Sequence, residues 1–210
     1  MDSAEDKSLT PVAAALRALI ERTAPKADAV LASLRLTQSQ GRDARAFELA
    51  SEDIAAQTGL GKAACAAIDM IDELCRYAAI EAFGTAPKLE TLATAGEYFR
   101  ALCRGRHVEY CYLACLDEDR RLTGVKLMGK GTLDAADVYV RNIAQEALRR
   151  GAKYALLAHN HPGGGLTPSA ADIELTRRTK MALGLMDIRL IEHVIVTQTA
   201  YMGIIDGGYV

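Results

Sequence analysis

The chain has 210 residues, half of them apolar and a quarter charged, an ordinary globular composition with room for one large domain or two small ones. No apolar run is long enough to cross a bilayer, and a net charge of −2 gives no global attraction to nucleic acid. The start, MDSAEDKSLT, is acidic and polar and holds no apolar signal core, so the cytoplasm is the expected compartment. The five cysteines, Cys65, Cys75, Cys103, Cys111 and Cys115, are odd in number and contain no CxxC pair, which argues for free buried thiols rather than a disulfide framework. The charge divides unevenly. Up to Ala86 there are 9 Lys/Arg against 13 Asp/Glu, and from Pro87 onward 16 against 14.

From Pro11 to about Phe83 the signals are helical, with Val12, Leu16, Leu19 and Ile20 near helical spacing. Ser51 is placed to cap a short helix. Thr58-Gly59-Leu60-Gly61-Lys62 interrupts the pattern, and a longer helix follows with Ala64, Ile68, Ile71 and Cys75 on one face. Gly84-Thr85-Ala86-Pro87 is a break, and the domain boundary is placed there: residues 1–86 form a small helical domain and residues 87–210 a second domain. Leu92 to Arg104 is again helical. Glu109 to Leu116 is a compact apolar run suited to a buried strand, Asp117 to Arg120 a polar turn, and Leu122 to Met128 its antiparallel partner. Val138 to Arg150 is a helix stopped by Gly151, with Val140, Ile143, Ala144 and Ala147 on one face. Tyr154 to Ala158 is a strand and Ile173 to Met186 a helix, with Leu175, Thr179, Ala182 and Met186 facing one way. Leu190 to Val196 and Tyr201 to Ile205 complete the set. Strands and helices mix without a regular βαβ repeat, which predicts an α+β fold with a mixed sheet.

Chemistry concentrates after the strand ending at Ala158, in His159-Asn160-His161-Pro162-Gly163-Gly164-Gly165. Residues two apart in a strand project to the same side, so extended backbone would place the imidazoles of His159 and His161 together and turn Asn160 away. Two imidazoles at a strand mouth are half a zinc site, and they are also compatible with an ordinary surface turn. Thr167-Pro168 reads as a helix N-cap followed by proline at the first helical position. Ser169 and Asp172, three apart, fall on the first turn of that helix. The pair fits a capping box. It also allows the loop to return the Asp172 carboxylate to the imidazoles, making a two-histidine, one-carboxylate set with a fourth position for water. The glycines suit a tight reversal. An HNH nuclease does not fit, since that family spreads these residues over a ββα element.

His159-x-His161, seven residues, then Ser169-x-x-Asp172 resembles the JAMM signature of the JAB/MPN metallohydrolases. Ala158 to Pro162, Arg189 to Val196, and Gly131-Thr132-Leu133 with Val138-Tyr139 are similar to the bacterial RadC family, long associated with DNA repair. The resemblance covers about Thr91 to Val210. It implies a cytidine-deaminase-like or MPN mixed sheet flanked by helices, a Zn2+ ion on His159, His161 and Asp172, Glu109 as general base and acid, and Ser169 steadying an oxyanion. The bond cleaved would be an amide, in a protein or peptide substrate. Two departures stand out: Gly163 replaces the serine of the usual HNHPSG, and Val140-Arg141-Asn142 keeps only the arginine of a Pro-Arg-Glu step. His193, on an apolar strand, reads as a hydrogen-bonded core histidine rather than a ligand. Iron or manganese would also suit a His2Asp site.

Thr58-Gly59-Leu60-Gly61-Lys62 resembles the hairpin of helix-hairpin-helix modules, which hold a phosphate on backbone N–H groups. It supports an alternative reading, a DNA-associated repair or recombination factor with a structural or idle metal. The net −4 of residues 1–86 argues against duplex contact, which rests on Lys/Arg. The remaining partner expectations are no membrane and a homodimer.

Overall fold

A computed structural model describes residues 11–24, 51–131 and 140–210. Residues 1–10, the side chains of Val12 and Ser51, and the family-like stretch 132–139 lie outside what is described. The chain divides into two compact units, residues 1–75 and 76–210.

The first unit holds α1 (Pro11–Thr23), α2 (Ser51–Thr58) and most of α3 (Lys62–Glu81). Its core is Leu16, Ile20, Ile54, Leu60, Ala64, Cys65 and Ile68. The α2–α3 turn is made by Gly59, whose positive φ of 70° is left-handed backbone, and by Leu60, buried beneath it. Cys75 departs from the expected buried face of α3 and is exposed.

The second unit is a three-layer α/β/α arrangement. Its five-stranded mixed sheet has the order β2-β1-β3-β4-β5, with β1 Tyr110–Leu116, β2 Leu122–Lys130, β3 Tyr154–Asn160, β4 Arg189–Val196 and β5 Tyr201–Gly203. Only β3 and β4 run parallel; the other three pairings are antiparallel. This is the predicted α+β class, consistent with the JAB/MPN fold. The central strands are buried on both faces, so their sequences are continuous apolar runs rather than alternating ones. One face, with Cys111, Leu113, Ala155, Leu157 and Leu190, is covered by α5 (Val140–Arg149) and α6 (Ala170–Gly184). The opposite face, with Tyr112, Ala114, Leu156, Ala158 and Val194, is covered by α4 (Leu92–Leu102) through Ala95, Tyr98 and Phe99. Gly96 lets α4 approach the sheet: a Cβ there would run into the Tyr201 ring. Burial raises the Cys103 and Cys111 thiols to about 12 and that of Cys115 to about 11, so these cysteines are core residues without thiolate chemistry.

Four boundaries differ from the sequence reading as follows. β3 continues two residues past Ala158, to Asn160, which brings His159 inside the strand. α6 is capped by Ser169 rather than Thr167, because the Ser169 hydroxyl accepts the Asp172 N–H. The helix then ends at Gly184, so Met186 lies beyond it and is exposed, and the buried face is Asp172, Leu175, Thr176, Thr179 and Leu183. β5 stops at Gly203: the Ile204 N–H still donates to the His193 carbonyl, and the buried Glu192 carboxylate then takes the N–H groups of Ile205 and Asp206.

Candidate metal centre

β3 delivers the two histidines. His159 is strand residue, and the His161 N–H still donates to the Val196 carbonyl at 2.9 Å, so extended pairing with β4 persists through His161. Period two therefore sets both imidazoles on the α5/α6 side of the sheet. Their Nε2 atoms are 2.9 Å apart. The chain then reverses: Gly164 N–H donates to the His161 carbonyl, and Gly164 has φ 84°. Of the three glycines only this one needs the left-handed region; a Cβ at Gly163 or Gly165 would meet nothing within 4 Å.

α6 delivers the carboxylate. Its N-terminus is a closed capping box: Ser169 N–H and Oγ–H both donate to Asp172 Oδ2, at 2.8 and 2.6 Å, while Asp172 N–H donates to Ser169 Oγ at 3.1 Å. These contacts leave Asp172 Oδ1 facing His159, 3.3 Å from its Nε2, while His161 Nε2 lies 3.9 Å from Oδ2. Ser169-x-x-Asp172 fits both a capping box and a carboxylate returned to the imidazoles. The capping contacts and a metal role for the carboxylate are geometrically compatible. Desolvation works to raise the Asp172 carboxyl, but the hydrogen bond and charge that the His159 ring supplies when protonated, together with the Ser169 contacts, outweigh it and hold the group well below the usual carboxylate range.

The ligand atoms of His159, His161 and Asp172 all lie within 4.8 Å of one another. Their donor chemistry fits a cation. His161 Nδ1 is 2.8 Å from the Gly165 carbonyl, which can only accept, so in the neutral ring Nδ1 holds the proton and Nε2 the lone pair. That lone pair and the Asp172 oxygen are acceptors directed at one small volume. The residues can therefore bind a metal ion with two nitrogens and one oxygen, in keeping with Zn2+ and other borderline metals.

Glu109 and Ser169 line the same cleft, about 340 Å³ in volume, together with His161, Pro162, Gly165 and Asp172. Glu109 lies one residue before β1, and its carbonyl accepts the Gly131 N–H. Its backbone is also held from across the sheet. The β1–β3 ladder ends at the pair Cys111–His159, and beyond it the Asn160 side chain takes over. Asn160 Oδ1 accepts the Tyr110 N–H at 2.8 Å and Nδ2 donates to the Val108 carbonyl at 2.9 Å, gripping the residues on either side of Glu109. Asn160 does turn away from the metal ligands, as strand alternation requires, but it is more than a spacer.

His193 is fully buried behind His159, with Nε2 2.8 Å from His159 Nδ1 and Nδ1 2.6 Å from Thr176 Oγ1. It is a hydrogen-bonded core histidine outside the three-ligand set. Burial first, and then the neighbouring His159, pushes it well below the ordinary imidazole value and keeps it neutral. Thr176 was not foreseen. Its signal is modest: it stands four residues after Asp172, on the same helical face.

A mixed five-stranded sheet with two imidazoles at a strand end and a carboxylate at the facing helix start fits a JAB/MPN-type domain, and its His-His-Asp group, able to bind a metal, is consistent with a JAMM-type site. A family profile described as RadC-like JAB domain matches residues 89–209, more than half of the chain. A UPF0758 protein of Bordetella parapertussis is 38% identical over 72% of this chain and 67% of its own length. UPF0758 proteins of Vibrio vulnificus and Vibrio atlanticus are 32% and 31% identical, covering 78% and 94% of this chain and 73% and 88% of theirs. The chain belongs to the RadC family. Among the described residues, no helix is long and apolar enough to cross a membrane.

Proposed function

We propose that this protein is a zinc-dependent hydrolase that cleaves an amide bond in a peptide or isopeptide substrate. The observation that carries the reading is a cleft lined by His161, Asp172 and a further carboxylate, Glu109, with His159 within 4.8 Å of the first two to complete the metal set. Zn2+ bound there would supply Lewis acidity, bringing the pKa of a bound water to about 7. Glu109, one residue outside β1, takes a proton from the attacking water and returns it to the leaving nitrogen. Ser169 binds the carbonyl oxygen as charge develops on it. For this its hydroxyl must turn from Asp172 Oδ2, which keeps the Ser169 N–H as a partner. The amide assignment and the Glu109 role follow the likeness to the wider JAB superfamily, and the metal role follows the residues.

Replacing Glu109 with Gln tests this directly. Zinc content, measured by elemental analysis, should stay at the wild-type level. Hydrolysis of a panel of peptide and isopeptide substrates should fall about 10²- to 10⁴-fold, the usual contribution of a general base. Full activity in the Glu109→Gln protein would sink the mechanism, and a wild-type protein that binds no metal would sink the reading as a whole.

A further inference from the structure

His193 is a buried imidazole that the proposed chemistry does not use, and both of its ring nitrogens are engaged. The protons along its contacts can be assigned from one end. Thr176 Oγ1 lies 2.6 Å from the Asp172 main-chain carbonyl, which can only accept, so the single hydroxyl hydrogen of Thr176 goes there. Toward His193 Nδ1 the Thr176 oxygen can then only accept, and His193 Nδ1 must hold a proton. His193 Nε2 is left with a lone pair, which accepts from His159 Nδ1–H at 2.8 Å. His159 Nε2 in turn carries a lone pair, aimed toward His161 Nε2 and Asp172 Oδ1.

We infer that Thr176 and His193 are positioning residues that lock His159 in the tautomer able to bind a metal, through a hydrogen-bonded chain anchored on the backbone of Asp172. The inference rests on the metal-centre reading and deepens it. Asp172 enters the site twice, by its carboxylate among the ligands and by its carbonyl at the far end of the chain. His193 owes its place to a β-bulge. The β3–β4 register shifts between Ala155 and Leu156, so that Leu190 pairs with Ala155 but Glu192 with Leu156 and His193 with Leu157. Regular alternation from Leu190 would have put Glu192, not His193, on the side of His159. A helix threonine bonded back to the carbonyl four residues earlier is thereby turned into a proton-ordering element. Groups that orient a ligating histidine in this way typically account for about 10- to 100-fold in metal affinity.

The test uses the full chain. Zinc affinity is measured by competition with a chelating dye for wild type, Thr176→Val and Thr176→Ser. The valine keeps the shape and removes the acceptor, so the His193 ring can reverse its tautomer and force a proton onto His159 Nε2. Affinity should fall about 10- to 100-fold in Thr176→Val and recover in Thr176→Ser. In parallel, long-range 1H–15N spectra of the metal-free wild type report which nitrogen of His159 is protonated, and Nδ1 is expected. A proton on His159 Nε2 in that spectrum overturns the inference, and this readout stands even if the valine variant does not fold. Unchanged zinc affinity in a folded Thr176→Val protein also overturns it while leaving the metal centre intact. Wild type that binds no zinc, yet shows His159 Nδ1–H, sinks the metal centre and leaves the proton order standing.

Discussion

Two helices of this domain open on the same device and come to different ends. α4 is capped by Thr91 and Thr94, and α6 by Ser169 and Asp172; in each, the cap side chain accepts the N3 amide and the N3 side chain accepts the cap amide. Thr94 has a single oxygen, and its contacts are with Thr91: it accepts the Thr91 N–H and donates to the Thr91 carbonyl. Asp172 has two. Oδ2 closes the cap and Oδ1 faces His159. A carboxylate at N3, opposite a strand end with histidines two apart, turns a helix start into part of a group able to bind a metal. The same backbone geometry with a hydroxyl at N3 stays a helix start.

Substitutions at Asp172 should separate the two functions and give the largest effects. Asp172→Ala removes both oxygens. Zinc binding should be lost, and the metal-free protein should be destabilised by about 1 kcal/mol or more, the usual cost of a lost cap plus an unfilled buried position. Asp172→Asn keeps one acceptor for the Ser169 amide and places an NH2 toward the histidines. Zinc should again be lost, but the metal-free melting temperature should stay closer to wild type than in the alanine variant. Equal zinc binding in wild type and Asp172→Asn would mean that Oδ1 is not a ligand. The linkage to pH has a definite sign. Because the Asp172 carboxyl titrates lower in the folded chain than in the unfolded one, its contribution is full above the unfolded value of about 4 and is lost as pH falls toward the folded value. Metal-free wild type should therefore lose more stability between neutral and acid pH than metal-free Asp172→Asn, as followed by thermal melts.

These elements were not equally legible. His159, His161, Ser169 and Asp172 could be read because a strand period of two and a cap spacing of three are local rules, satisfied within one strand, one loop and one helix turn. Glu109 lies on a different strand, and its place in the cleft depends on the β1–β3 pairing of Cys111 with His159. No local pattern distinguished it from Glu118 or Glu146, and the family likeness pointed to it. His193 could be read as a core histidine, but its contact with His159 depends on the bulge in β4, which shifts every later residue to the opposite face. The helix ends were least legible. Thr167-Pro168 carries a good N-cap pattern, yet Ser169 is the cap, because its hydroxyl has the Asp172 amide and carboxylate to close on.

The strand facing the α6 cap gives a prediction of intermediate size. Asn160 holds Val108 and Tyr110 on either side of Glu109, and nothing in the α4 cap corresponds to that grip. Asn160→Ala removes one buried and one part-buried hydrogen bond and leaves the buried Tyr110 N–H unpaired, which typically costs about 1–3 kcal/mol. The His159 and His161 side chains lie on the opposite face, so zinc affinity should change little while hydrolysis falls with the displacement of Glu109. Loss of zinc in step with activity would show that Asn160 supports the strand end as a whole rather than the Glu109 segment.

The smallest effect belongs to α4 and closes the comparison from its simpler side. Thr94→Ala deletes the N3 oxygen that accepts the Thr91 amide, but the Thr91 hydroxyl still accepts the residue-94 N–H. Half of the box remains, and both threonines are solvent-exposed, so water can satisfy the released amide. The cost should be a few tenths of a kcal/mol up to about 1 kcal/mol, visible as a small drop in melting temperature. Zinc affinity should be unchanged, since α4 packs on the face of the sheet opposite α6. If Thr94→Ala destabilised the metal-free protein as much as Asp172→Ala, the second carboxylate oxygen of Asp172 would add nothing to the folded chain beyond what a hydroxyl at the same cap position supplies, and its value would lie in the metal alone.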